Sequence, residues 1–146
     1  MSLEIDVEHT RGNFHLAARF AAQPGVTALF GRSGAGKSSL VDIVAGLIRP
    51  QRGRIVIDGE TLVDTERGVF VPRHRRRVGY VFQDSRLFPH LSVRQNLLYG
   101  RWFARGQGGV AGDFGSIVGL LGIAPLIERR PDSLSGGEKQ RVAIGR

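Results

Sequence analysis

Residues 3 to 8, Leu-Glu-Ile-Asp-Val-Glu, alternate apolar and charged side chains, the period of a strand with one buried face. Arg11-Gly12-Asn13 turns the chain, and Phe14, Leu16, Ala18 and Phe20 carry the alternation into a second strand. After Pro24-Gly25 the pattern changes: Val26 to Phe30 is a continuous apolar run, predicted as a buried strand. A helix over 37–48 follows, with Leu40, Val41, Val44 and Leu47 on one face and Pro50 as its stop. Arg54 to Gly59 reads as a strand ending in a hairpin, with Leu62 and Val63 on the return strand. Val78 to Phe82 is a second buried-strand candidate, so the N-terminal part is expected to mix antiparallel hairpins with a parallel βαβ core.

Beyond residue 83 the period becomes helical. Ser92 and Gln95 form a capping box for a helix carrying Val93, Leu97 and Leu98, stopped by Gly100. Asp113 caps the next helix, whose Phe114, Ile117, Val118 and Leu121 share a face before Gly122. A short third helix is expected from Pro125 to Pro131. The cluster Arg105 to Gly112 reads as a flexible loop. The pattern thus predicts two domains, a core with an antiparallel β subdomain over 1–83 and a helical subdomain over 84–146.

Composition narrows the class. At 146 residues and 41% hydrophobic content the chain can bury a real core. No segment approaches the roughly 20 apolar residues of a membrane span, the first residues lack the regions of a signal peptide, and there is no cysteine for disulfide or thiolate chemistry. The net charge of +8 invites a nucleic-acid partner, but the basic residues are dispersed. Their densest run, Arg73 to Arg77, has no interleaved aromatic residue and reads as a solvated connection.

The candidate chemistry centres on Gly31-Arg32-Ser33-Gly34-Ala35-Gly36-Lys37-Ser38, followed by Ser39, between a predicted strand and a predicted helix. This is the pattern G-x-x-x-x-G-K-[S/T], in which glycines let the backbone approach an anion and the helix start adds free N–H donors. Lys37 is expected to reach the β- and γ-phosphates of a nucleotide, and Ser38 to place its hydroxyl on Mg²⁺. Gln83 ends the second buried-strand candidate, where ligands of open α/β sheets gather, and its amide can bind a metal ion, orient a water or simply terminate a strand. A second helix N-terminus, Leu134-Ser135-Gly136-Gly137-Glu138, combines a capping box with two adjacent glycines. Each glycine costs about 1 kcal/mol relative to alanine in a helix, which makes sense where an anion docks on the bare backbone.

The cradle, Gln83 and Leu134 to Glu138 resemble the Walker A motif, Q-loop and signature motif of the ABC-transporter ATPases. The resemblance spans essentially the whole chain. Phe30 to Lys37, Arg77 to Asp84, Arg86 to His90 and Gly136 to Arg146 look like the molybdate-importer branch of that family, in wording partly shared with sulfate and other importers. The resemblance implies an α/β fold: a P-loop NTPase core with an antiparallel β subdomain and an inserted helical subdomain, incomplete at the C-terminus. It implies ATP and Mg²⁺ as cofactors, with Lys37 and Gln83 in catalysis and Ser38 and Gln83 on the metal. Nucleotide would lie on Gly31, Arg32, Ser33, Gly34, Ala35, Gly36, Lys37, Ser38 and Ser39 of one copy and on Ser135, Gly136 and Gly137 of another, in a head-to-tail homodimer. The implied partners are membrane permease subunits, met by residues 84–90, and indirectly a periplasmic substrate-binding protein. The implied location is the cytoplasmic face of the cell membrane.

Nucleic acid is not expected, because no sustained heptad marks the coiled coil of chromosome-organising relatives. Two departures from the family pattern stand out. Thr10, Arg11 and Gly12 occupy the loop where an aromatic residue often stacks on adenine, leaving Arg11, Phe14 or His9 as substitutes. The Walker B strand with its carboxylates and the switch histidine do not occur within the 146 residues, so this stretch is expected to bind nucleotide weakly without useful hydrolysis. Its sheet is expected to be short and to leave a hydrophobic face uncovered.

Overall fold

A computed structural model describes residues 2–103 and 113–146, and the glycine-rich stretch Arg105 to Gly112 lies outside the described residues. The chain divides into two compact units, Met1–Tyr80 and Val81–Arg146.

The first unit is built on the alternating segments. β1 (Leu3–Arg11) and β2 (Phe14–Ala22) form a hairpin, and β3 (Arg52–Ile57) pairs with the other edge of β1. β4 (Glu60–Asp64) returns along β3 through Asp58-Gly59, both at positive φ as a two-residue hairpin turn requires. β5 (Val69–Phe70) closes a wholly antiparallel sheet of order β2-β1-β3-β4-β5. The inward members of the alternation, Ile5, Val7, Leu16, Ile55 and Val63, make the core with Leu40 and Ile43 of α1 (Lys37–Ala45).

Several expectations are corrected here. Neither Val26–Phe30 nor Val78–Phe82 is a strand, and the parallel βαβ core does not form among the described residues. Val26 and Phe30 are almost fully exposed. A buried strand needs hydrogen-bonded neighbours on its edges and cover on both faces, and the five described strands pair only with one another. Helix α1 ends at Ala45 rather than 48, because Gly46 takes the left-handed conformation (φ 78) and its N–H returns to the carbonyls of Asp42 and Ile43. Its buried positions are Leu40, Ile43 and Ala45, with Val44 packed beside them, whereas Val41 and Leu47 stay exposed.

The second unit holds α2 (Val93–Phe103), α3 (Phe114–Leu121) and α4 (Gly136–Gly145) around Val93, Leu97, Val118, Ile123, Leu126, Ile127, Leu134 and Val142. The Ser92/Gln95 box and the Asp113 cap form as predicted, the latter through bonds to Ser116. Gly100 does not stop α2, which continues to Phe103. A single glycine costs about 1 kcal/mol in a helix without ending it. The third helix reduces to single 3₁₀ turns at Ala124–Leu126 and Pro131–Ser133.

Asn96, fully buried in α2, holds the loop before that helix. Its Oδ1 accepts from the Phe88 N–H at 2.8 Å, and its Nδ2 donates to the carbonyls of Phe88, Leu91 and Ser92 at 3.0–3.2 Å. Replacing Asn96 by Ala leaves these buried groups unpaired and should destabilise the second unit by about 2–3 kcal/mol, read as a lower urea midpoint. An unchanged midpoint would show that water replaces the amide at no cost.

Candidate functional site

The chain leaves β2 at Ala22 and runs without regular structure into α1, which makes residues 31–36 a loop at a helix N-terminus. Gly36 is the N-cap, at φ 87. A Cβ there would lie 2.8 Å from Phe14 Cζ and 3.0 Å from Leu16 Cδ1, so close packing and backbone conformation both demand glycine. A glycine cap offers no side-chain acceptor, and the first turn of α1 contains no acidic residue. The open N–H groups and the positive end of the dipole are therefore left for an external acceptor.

Lys37 Nζ donates to the carbonyls of Gly31 and Arg32 at 2.8 Å each, and Ala35 N–H donates to Arg32 O at 3.2 Å. These bonds fold the loop over the start of its own helix. A lysine in the first helical turn opposes the dipole, an arrangement that an anion between the two would turn from repulsion to attraction. Gly31 to Ala35 and Ser38 are exposed, and Gly36, Lys37 and Ser39 half-buried, so residues 31–39 form one accessible donor-rich surface. This donor set, free of acidic side chains, fits a polyphosphate. Among the described residues no three His, Asp or Glu side chains gather to hold a metal ion. A cation at Ser38 would accordingly depend on ligand oxygens for most of its coordination.

The second glycine-bearing N-terminus is of different construction. Ser135 caps α4 by accepting from Glu138 N–H, and Glu138 accepts from Ser135 N–H at 2.7 Å and from its hydroxyl at 2.8 Å. Those bonds, the backbone one foremost, hold the Glu138 carboxyl below its usual pKa. Gly136 and Gly137 are exposed, and a Cβ on either would meet nothing within 4 Å. Packing within the second unit gives no reason for glycine at these positions. Gln83 is exposed in an irregular stretch of the same unit. The structure thus brings residues 31–39 together in the first unit and Ser135, Gly136 and Gly137 together in the second.

Near the cradle, the three candidates for base stacking separate. Phe14 has its ring against Gly36, and His9 is half-buried with Nδ1 enclosed and without a partner. Arg11 is exposed and stands directly opposite Phe14 across the hairpin, hence on the same face of the sheet. The hairpin end is held by a Thr10–His15 hydrogen bond of 3.0 Å and by Gln51, whose amide donates to Thr10 O at 2.8 Å. Sequence reasoning missed the role of Arg76: the run 73–77 is not uniformly solvated, because Arg76 is only 5% exposed and is bonded to α1, while its four neighbours face solvent. A single buried member of a charge run has no signature in composition.

Gly36→Ala should lower stability by about 2 kcal/mol in thermal melts, with part recovered when Phe14 is also shortened to Leu. Full stability of the single variant would mean that the hairpin does not hold the cradle. For Glu138 the folded pKa is depressed, so its contribution is present above about pH 4.3, the unfolded value, and is lost as pH falls through the folded one. Ser135→Ala should abolish that acid dependence of α4 amide protection; an identical acid profile would show that the box does not control it.

The ABC transporter family model matches residues 18–146. The molybdenum import ATP-binding protein ModC of Rhizobium meliloti (strain 1021) is 60% identical over 146 residues, covering all of this chain and 41% of that protein. ModC of Yersinia pestis is 54% identical, over 99% of this chain and 39% of its own length. The chain therefore spans about two fifths of the curated relatives it matches. Among solved structures, cbiO1 of Clostridium perfringens, part of the ABC transporter complex cbiONQ, aligns with a TM-score of 0.72 at 27% identity, over 98% of this chain and 59% of that one. The ATP-binding cassette MJ0796, solved as a post-hydrolysis dimer bound to ADP and Pi, also gives 0.72 at 25% identity, over 99% and 68%. With its glycine-capped helix, lysine-closed loop and glycine-bearing second N-terminus, the chain belongs to the ABC transporter family.

Proposed function

We propose that this chain is the nucleotide-binding part of an ATP-hydrolysing subunit that powers molybdate import. The observation that carries the nucleotide reading is the uncapped start of α1 facing a loop closed by Lys37, a donor set with no acid in it. Phosphate oxygens would take over the hydrogen bonds that Nζ now gives to Gly31 and Arg32, and would accept from the open backbone N–H groups at the start of α1. Ser38, exposed in the first turn, would hold Mg²⁺ together with phosphate oxygens. Gln83 would meet the same ion or the attacking water. Arg11, free where Phe14 is engaged, would lay its guanidinium plane on the base.

Ser135, Gly136 and Gly137 would receive the phosphates of a nucleotide held by a second copy. Their support is the open space around both glycines, which leaves bare backbone at a helix N-terminus. MJ0796, an ATP-binding cassette of similar fold, is dimeric in its structure with ADP and Pi. Closing phosphates between two donor sets neutralises charge from both sides, the positioning that phosphoryl transfer needs. Molybdate as the transported ion rests on the 54–60% identity to ModC proteins. The oxyanion itself would be chosen by a substrate-binding protein and by permease subunits, the latter docking on residues 84–90 at the cytoplasmic face. No helix among the described residues is long and apolar enough to cross a membrane.

Calorimetry with Mg·ATP tests the core of this reading. Wild type should bind, and Lys37→Ala should lose at least about tenfold in affinity, as expected for removal of a charge-assisted contact to phosphate. Equal binding by both proteins would remove the cradle from the mechanism. For the substrate, a strain lacking its own molybdate-import ATPase should regain molybdenum uptake with the whole protein and not with its Lys37→Ala form.

A further inference from the structure

The cradle sits at one end of α1, and the other end of that short helix is held by Arg76. Arg76 Nη1 donates to the carbonyls of Ile43 at 2.9 Å and Val44 at 2.8 Å in the last helical turn, the first of which it shares with the Gly46 N–H. Its Nε donates to Val71 O at 2.7 Å, and Val71 N–H in turn donates to Leu62 O of β4. The guanidinium lies 4.9 Å over the ring of Phe70 in β5. One buried side chain therefore fastens the C-terminal end of α1 to the β4–β5 edge of the sheet.

The helix end is shaped to admit it. A Cβ on Gly46 would stand 2.5 Å from Arg76 Nε and 2.7 Å from Cζ, so glycine both ends the helix and clears the space for the guanidinium. A positive charge at the negative end of a helix dipole is favourable, and the planar fork meets three carbonyls from two segments at once. Among the described residues no carboxylate makes an ion pair with it, so the helix carbonyls and the dipole are its electrostatic partners. A second tie comes from the same segment: Tyr80 OH donates to the Asp42 carboxylate at 2.6 Å.

We propose that Arg76 is a positioning residue for nucleotide binding, holding the C-terminal end of α1 so that its N-terminal end presents Lys37 and Ser38 at fixed geometry. The proposal rests on the reading of residues 31–38 as a phosphate cradle. The mechanical logic follows from the length of the helix. Nine residues at 1.5 Å each make a rod of about 13 Å, seated at one end by Gly36 on Phe14 and Leu16 and at the other by Arg76. Releasing one end lets the rod tilt about the other, and a displacement of about 1 Å at a phosphate site is enough to cost up to a hundredfold in function. The segment fastened in this way, 71–80, runs three residues later into Gln83.

The test compares wild type, Lys37→Ala, Arg76→Met and Arg76→Lys by Mg·ATP titration and by hydrogen exchange without nucleotide. Arg76→Met should weaken binding about tenfold and speed exchange of the α1 amides while those of β1 to β3 keep their protection. Lys37→Ala should weaken binding without speeding exchange, a split that a general loss of stability would not produce. Arg76→Lys, which keeps the charge but not the fork, should recover only part of the affinity. If Arg76→Met does not fold, Arg76→Lys decides, and an affinity within about twofold of wild type overturns the proposal. Lys37-dependent binding that is unchanged in Arg76→Met overturns the positioning role alone. Absence of Lys37-dependent binding in wild type overturns the cradle reading, and this proposal with it.

Discussion

The first turn of α1 presents backbone N–H groups with no side chain to receive them, and the surrounding structure is arranged about that deficit. A serine or aspartate at the N-cap of an unobstructed helix supplies the side-chain acceptor that glycine lacks and is favoured over glycine by a few tenths of a kcal/mol. Gly36 stands there in α1, and Phe14 and Leu16 leave no room for anything larger. The cost is a helix that begins with unsatisfied donors and a lysine against its dipole. The β1–β2 hairpin, the core under Leu40 and Ile43 and the guanidinium of Arg76 hold the helix in place despite it.

The second helix start meets the same constraint differently. Ser135 and Glu138 satisfy one another and the local backbone, so the start of α4 is capped by its own residues, and the two glycines after the cap add exposure rather than stability. One N-terminus is therefore built with its donors free and the other with a cap plus bare backbone.

Much of this was legible in the chain. The β1–β2 and β3–β4 hairpins follow from period-two alternation and from turn residues, and the three capping arrangements at Ser92, Asp113 and Ser135 follow from side chains that bond within four residues. Residues 31–39 and 135–137 are contiguous stretches, so local spacing sufficed to single them out as candidates. The failures share a cause. Val26–Phe30 and Val78–Phe82 have the composition of buried strands, but a strand exists only through neighbours, and apolar composition says nothing about whether an edge is present to pair with. Gly46, not Pro50, ends α1 because a left-handed glycine satisfies the last carbonyls earlier than a proline can block the next turn.

The sequence by itself determined the local features: where a glycine-rich loop meets a helix start, which lysine stands in that helix's first turn, and which helices start at which caps. Each depends on interactions spanning a few residues. The tertiary structure alone decided which member of Arg73 to Arg77 turns inward, which aromatic is consumed by packing on Gly36, and which loop Asn96 holds. Those outcomes depend on partners eight to more than thirty residues away, Phe88 for Asn96 and Ile43 for Arg76 among them, and on buried space that forms only once the sheet and helices have met.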